Sequence, residues 1–322
     1  MTAYVIRRLA LIVPTIFLVT VIVFLTIRLI PGDAVRQMLM GQGGSKAAGT
    51  DFEVTVETLR RQLGLDVPIH IQYVRWVGNA FKGDLGKSIW TGAPVTELIT
   101  HRFPVSLELG LLGMVTALLI AFPIGIYSAV RQDTAGDYLA RSFAILCIAV
   151  PSFWLATLVV VYPSIWWGWT PPVEYIPFVE DPAANLKQFI IPALILGMLT
   201  SGTTMRMTRT MMLEVLRQDY VRTAWAKGLS ERIVVMRHAL KNALIPVVTI
   251  VGMNVPVIVG GSVILEQIFT LPGLGRLMLD AIGNRDYTII SGLNLFVASV
   301  VLVANMAVDL AYGYLDPRVK YD

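Results

Sequence analysis

The chain has 322 residues, of which 55% are apolar and only 15% charged, and its formal net charge is +4; the mean hydropathy is +0.67. A soluble domain of this length would not carry that balance on its surface, and the apolar residues fall in long blocks between polar stretches, as in a helical membrane bundle. The single cysteine, Cys147, rules out an intrachain disulfide framework, and the three histidines, His70, His101 and His238, lack metal-ligand spacing, which argues against a metal site or a buried Ser/His dyad.

Arg7 and Arg8 precede an apolar run from Leu9 to Ile30 that is too long for a signal-peptide core and has no small-residue cleavage site behind it, so a retained helix is expected. Further blocks able to cross ~30 Å of hydrocarbon are Val105 to Val130, Tyr138 to Ile165, Gln188 to Met205, Ile245 to Leu265 and Ile289 to Gly313. Pro14, Pro123, Pro151, Pro192 and Pro256 lie inside these blocks, which membrane helices tolerate with or without a kink. The expected fold is an all-α membrane protein of about six transmembrane helices. Residues 1–103 would form the first helix and a large extracytoplasmic loop, 104–313 a five-helix core with a cytoplasmic loop at 213–244, and 314–322 a cytoplasmic tail.

Orientation follows from the cations of the short loops. Arg131 and Arg141 flank one, and Arg206, Arg209, Arg217, Arg222, Lys227, Arg232, Arg237 and Lys241 crowd another, so both are cytoplasmic, and the N and C termini fall on the same side. The long first loop, Pro31 to Phe103, lies outside despite its cations. Within it, Val54 to Leu63 reads as a short helix closed by Gly64, and Pro68 opens a second whose Ile69, Tyr73, Trp76, Val77 and Ala80 share one face. That aromatic face suits a structural lid at the membrane interface, and Trp166, Trp167 and Trp169 read as interfacial anchors.

No ionisable side chain stands at mid-span, where a charge persists only for function; Arg28, Glu108, Glu266 and Asp309 lie near span ends and read as interfacial. Gly86-Lys87-Ser88 resembles the tail of a phosphate-binding loop, but Phe81 stands where the motif needs its first glycine. The chain therefore carries no nucleotide site of its own.

From Leu213 to Leu244 the chain is too charged to span and too periodic to be a plain connector. Tyr220, Val221, Ala224 and Gly228 fall at helical spacing, giving a short helix that Gly228 ends; Ser230 caps the next helix, and Pro246 fits the first turn of the fifth span.

Here the sequence resembles the permease subunits of type I ATP-binding-cassette importers, whose cytoplasmic loop carries Glu-Ala-Ala followed, after three further residues, by glycine. Arg222, Thr223 and Ala224 occupy the lead positions and Gly228 the glycine. The replaced glutamate and alanine match the dipeptide and oligopeptide branch, as does the run from Thr208 to Ser230. Other strings of that branch are Pro31-Gly32-Asp33, Gly64-Leu65-Asp66, Gly83-Asp84-Leu85-Gly86 with Ser88, Glu266-Gln267-Ile268-Phe269 with Pro272-Gly273-Leu274-Gly275, Arg285-Asp286, and Asp316-Pro317-Arg318, with Thr288 standing where relatives commonly have proline.

The resemblance implies a permease bundle that translocates di- or oligopeptides across the cytoplasmic membrane of a prokaryote by alternating access. It is not an enzyme: ATP and Mg would be bound by two separate ATP-binding subunits, with no cofactor in this chain. The other implied partners are a second homologous permease, an extracytoplasmic substrate-binding protein, peptide substrate and membrane lipid, with no nucleic acid. Tyr220, Arg222, Thr223, Ala224, Lys227 and Gly228 would couple to an ATPase, the small residues Thr223, Ala224 and Ala226 allowing close approach and the cations meeting acidic groups. Pathway-lining residues are not named by the sequence. The alternatives are the same architecture importing nickel or oligosaccharide, an autonomous ion-coupled carrier or channel, and, ranked last, a membrane-embedded enzyme.

Overall fold

The computed structural model of the chain describes residues 2–29, 53–54, 56–58, 60, 66–254, 258 and 262–315. Its elements are α1 (Thr2–Leu29), α2 (Ile69–Phe81), α3 (Val95–Val130), α4 (Ala135–Ala149), α5 (Ser152–Trp167), α6 (Pro182–Leu216), α7 (Asp219–Ala226), α8 (Glu231–Ile233), a π-helical segment (Val234–Ala239), α9 (Leu240–Met253), α10 (Val263–Ile268), α11 (Leu274–Gly283) and α12 (Tyr287–Leu315). Among the described residues Val95–Val130, Pro182–Leu216 and Tyr287–Val308 are long and apolar enough to cross a membrane. The pair α4 and α5 makes a fourth crossing if it counts as one span, although its halves are bent by 91°. The helix expected over Val54 to Leu63 and the terminal Asp316-Pro317-Arg318 lie largely or wholly outside the described residues, and the span expected from Ile245 to Leu265 lies partly outside them.

The block expected from Tyr138 to Ile165 is thus a helix pair broken at Pro151. Val150 precedes Pro151, whose ring disfavours helical backbone in the residue before it; Val150 is extended (φ −81°, ψ 121°), and Pro151 becomes the N-cap of α5. Pro246 departs from expectation in the other direction. Helix continues from α8 through the π-helical segment into α9, so Pro246 sits inside the helix rather than in its first turn.

The chain divides into two compact units, residues 1–102 with 277–302 and residues 103–276 with 303–322. In the first, the aromatic face of α2 is covered by α1. Tyr73 stands edge-on to Phe17 and Phe24 at centroid distances of 6.4 and 5.4 Å, Trp76 lies 5.9 Å from Phe24, and the hydroxyls of Tyr73 and Thr20 are 2.8 Å apart. Ile69 is the exception to that face and stays exposed.

The strings around Ser88 and Asp286 meet in this unit. Asp286, 1% exposed, accepts from the Ser88 hydroxyl (2.6 Å) and the Ile89 N–H (3.0 Å), and its other oxygen accepts from Ile289 N–H (3.2 Å) in the first turn of α12. A carboxylate suits that place, since a helix start carries unpaired N–H groups and the positive end of the dipole. Trp90 Nε1 donates to the Asn284 carbonyl at 2.7 Å.

The second unit is built on an apolar core in which Val105 and Leu109 of α3, Ala156 of α5, Phe189, Ala193 and Leu196 of α6, and Leu265 and Phe269 around α10 are buried together. Trp169 and Tyr175 pack on its margin, so Trp169 is not the free interfacial anchor the sequence suggests, whereas Trp166 and Trp167 are exposed. Burial, reinforced by the carboxylates of Glu108 and Glu180, raises the Tyr175 phenol above its ordinary pKa. Where α3 meets α6, a Cβ on Gly197 would stand 2.9 Å from the Gly113 carbonyl and 2.6 Å from the Thr116 Cβ, the small-residue approach common between membrane helices.

Two acids read as interfacial are held inside this unit. Glu108 is half-buried and receives Asn185 Nδ2 at 3.4 Å. Glu266 is fully buried and accepts from the Ser106 hydroxyl (2.8 Å) and from Arg276 N–H (3.0 Å), while Ser106 in turn accepts from Leu274 N–H (2.7 Å). Pro272-Gly273-Leu274-Gly275 fits around that carboxyl group: a Cβ on Gly273 would overlap it, and one on Gly275 would stand 3.0 Å from Oε2.

Candidate functional site

The candidate site is the polar connector between α6 and α9, within the second unit. At ~1.5 Å per residue α6 is about 52 Å long, well beyond the ~30 Å of hydrocarbon, and Arg206 and Arg209 lie in its last third. This end of the bundle is pinned from inside. Asp137 of α4, fully buried, receives Arg209 of α6 through Nε (2.9 Å) and Nη2 (2.8 Å), together with the Ser128 hydroxyl of α3 and the Asp133 N–H (3.1 Å). One two-pronged ion pair and its neighbours thus tie three helices.

Beyond Arg217 the chain turns into α7, whose eight residues are amphipathic. Val221 and Ala224 are buried against Val215, Leu216, Leu229 and Val234. This corrects the reading of Ala224 as part of an outward small-residue face: it occupies the helix's own apolar stripe, turned onto the rest of the unit. Arg222, Thr223, Ala226 and Lys227 are exposed, with Tyr220 and Trp225 at the edges of the stripe, 43% and 44% exposed. Arg222 meets Asp219 of its own helix at 3.6 Å in a pair open to solvent, and such pairs exchange easily.

Gly228 closes α7 as its position predicts. Its φ is +77°, its N–H donates to Trp225 C=O (2.9 Å), and the Leu229 N–H returns to Ala224 C=O (3.4 Å), a Schellman ending sealed by Leu229 against the Val221 and Ala224 cluster. Ser230 is the N-cap of α8, but its side chain makes no cap bond; its carbonyl accepts from Ile233 and Val234 N–H, both at 3.0 Å.

Two features of this region escape the sequence reading. Trp225 could have been found as an aromatic beside the Val221 and Ala224 stripe, exposed in the way anchor residues of interfaces are. Asn242 carries no such signal: its Nδ2 donates to the Tyr220 hydroxyl at 2.7 Å, and that hydroxyl donates to the His238 carbonyl at 3.3 Å.

Residues 121–321 match the family described as "Binding-protein-dependent transport system inner membrane component", and residues 1–110 match the N-terminal part described for the same membrane component. Over 322 residues, all of both chains, the sequence is 41% identical to a peptide transport system permease protein of Brucella abortus. It is 38% identical over 324 residues to the oligopeptide transport system permease protein of Bacillus subtilis, covering 100% of each chain. The dipeptide transport system permease protein of Escherichia coli is 35% identical over 344 residues, covering 100% of this chain and 99% of that one. Among solved structures, a chain of the MetNI methionine ABC transporter in an inward-facing conformation superposes with a TM-score of 0.53 at 15% identity, covering 68% of this chain and 96% of that one, a likeness of fold.

Proposed function

Because this chain belongs to the family of binding-protein-dependent transport system inner membrane components, we propose that it is the permease subunit through which an ATP-driven importer takes di- or oligopeptides across the inner membrane of a prokaryote. Relatives with peptide, oligopeptide and dipeptide in their names align end to end, which favours peptide over nickel or oligosaccharide.

In this reading the chain makes about six spans with both termini in the cytoplasm. Residues 1–103 supply the first helix and the extracytoplasmic loop, 104–313 the core with its connector at 213–244, and 314–322 the tail. A second homologous permease completes the pathway, a binding protein delivers peptide from outside, and two ATP-binding subunits hold ATP and Mg. The helix α7 is the coupling element. Arg222, Thr223, Ala226 and Lys227 face an ATP-binding subunit, Tyr220 and Trp225 flank the contact, Gly228 fixes where the helix stops, and Ala224 holds it onto its own subunit.

The observation that carries this is the division of α7 into a sealed inner stripe and a charged, small-residue outer face, ending on a left-handed glycine. Setting membrane orientation needs only the cations and not that construction. The test is co-purification of the tagged chain from its host, followed by uptake of labelled peptide into liposomes. Two ATP-binding subunits, a second permease and ATP-dependent uptake are the expected result. A chain that purifies alone and transports without ATP would establish an autonomous carrier instead.

A further inference from the structure

Three features converge on the stretch that follows α8. Val234–Ala239 is π-helical, an underwound conformation that is rare and sits mostly where helices do work. Beside it runs a groove of about 780 Å³ lined by the exposed Met236, by Val235 and Leu240 where they pack on Ile126 and Val130 of α3, and by the pair Arg131 and Glu231 at 3.5 Å. Elsewhere the same stretch is gripped by one side chain from α7. The Tyr220 hydroxyl donates to the His238 carbonyl within the π-helical segment and accepts from Asn242 Nδ2 one turn further on, in α9.

The grip has a specific geometry. Asn242 Nδ2 fills an acceptor position of the Tyr220 oxygen, which leaves the hydroxyl hydrogen for His238 C=O. That orders one donor direction and holds the ring edge of Tyr220 against two successive turns of the neighbouring helix. A displacement of α7 therefore reaches the π-helical segment in two places, at its start through the Val221 and Ala224 stripe packed on Val234 and at His238 through the Tyr220 hydroxyl, and only the second extends by a hydrogen bond to Asn242 in α9.

We propose that Asn242 is a positioning residue of energy coupling: by orienting the Tyr220 hydroxyl it links α7 to the π-helical base of α9, so that movement of the coupling helix moves the span. This rests on the importer reading of α7 given above. Asn242 touches neither peptide nor nucleotide and acts only through Tyr220.

The test uses the whole transporter reconstituted in liposomes, with ATP hydrolysed and peptide taken up measured together. Asn242→Leu removes the amide at similar volume, and Tyr220→Phe removes only the hydroxyl at an exposed position. Asn242→Leu is expected to assemble with its partners, to hydrolyse ATP near the wild-type rate, and to raise the ATP spent per peptide roughly threefold, the scale of one modest hydrogen bond; Tyr220→Phe, at the flank of the proposed contact, is expected to raise that ratio by the same factor whatever its own hydrolysis rate. The double variant is expected to be no worse than either single one, because both remove the same link. An unchanged ratio in both single variants, additive losses, or a fall in assembly matching the fall in uptake would overturn the proposal. A wild-type complex without ATP-dependent uptake would instead remove the importer reading on which it stands.

Discussion

The pair between Asp137 and Arg209 and the contact between Tyr220 and Asn242 both join helices of the same compact unit, and they are built from opposite materials. The first is a carboxylate with no exposed surface, met by two guanidinium nitrogens and a hydroxyl. The second is a neutral hydrogen bond between two exposed side chains, extended by the Tyr220 hydroxyl to the His238 backbone carbonyl. A buried charge that loses its partner is costly, so the first contact keeps α3, α4 and α6 together through any motion. Water readily replaces the partners of an exposed hydroxyl, so the second can be made and broken within a working cycle. On the proposed reading of α7, the standing joint of this end of the bundle is charged and sealed, and the working joint is neutral and wet.

Substitutions can break that comparison in graded steps. Arg209→Met should do the most damage: it strands Asp137 in the interior at a cost of about 3–5 kcal/mol, read as a large fall in the thermal inactivation temperature of the detergent-solubilised subunit, most of which Asp137→Asn in the same chain should restore. A loss no larger than that of an exposed pair would erase the distinction.

Ser106→Ala comes next. It removes the hydroxyl that both donates to Glu266 and accepts from Leu274 N–H, leaving buried groups short of a partner at about 1–3 kcal/mol, measured by the same melting assay. Gly228→Val has open space for its side chain but forces a β-branched residue to φ +77°. The strain is about 1–2 kcal/mol and is local to the end of α7. The variant should insert and assemble normally while spending more ATP per peptide; normal coupling would count against α7 as the coupling element. Least of all, Arg131→Gln should shift the melting temperature barely at all, since an exposed ion pair is worth ~0.2–1 kcal/mol.

How much of this is legible in the chain depends on the range of the interaction. Gly228 is readable because a glycine after an amphipathic turn is a local backbone signal, and its left-handed φ follows. Pro68 at the start of α2, and Tyr73 and Trp76 on its inner face, are readable for the same reason. The strings containing Ser88 and Asp286 are each visible in the sequence, but their meeting across 198 positions is a tertiary fact that neither string encodes. Glu266 misleads because its distance from the chain's apolar centres says interface, while its actual partners, Ser106 and the Arg276 N–H in the first turn of α11, are remote or carry no side-chain signal. Pro151 signals a kink without its size; the 91° bend depends on what both halves pack against. Ala224 is misassigned because a small residue suits close approach to a partner and close packing within the chain equally well. Only the placement of Val215, Leu216 and Val234 decides between them.

The claim at the centre of this account is that the outer face of α7 docks on an ATP-binding subunit while its inner stripe stays sealed. Cysteine cross-linking tests it most directly, because the only native cysteine, Cys147, is buried at 4% exposure and leaves a quiet background. Cysteines placed singly at Thr223, Ala226 and Ala224 in the assembled transporter would be treated with a short bifunctional reagent. The account predicts adducts with an ATP-binding subunit from Thr223→Cys and Ala226→Cys, and none from Ala224→Cys. Adducts from Ala224→Cys alone, or none from either outer position in a complex that still imports peptide, would contradict it.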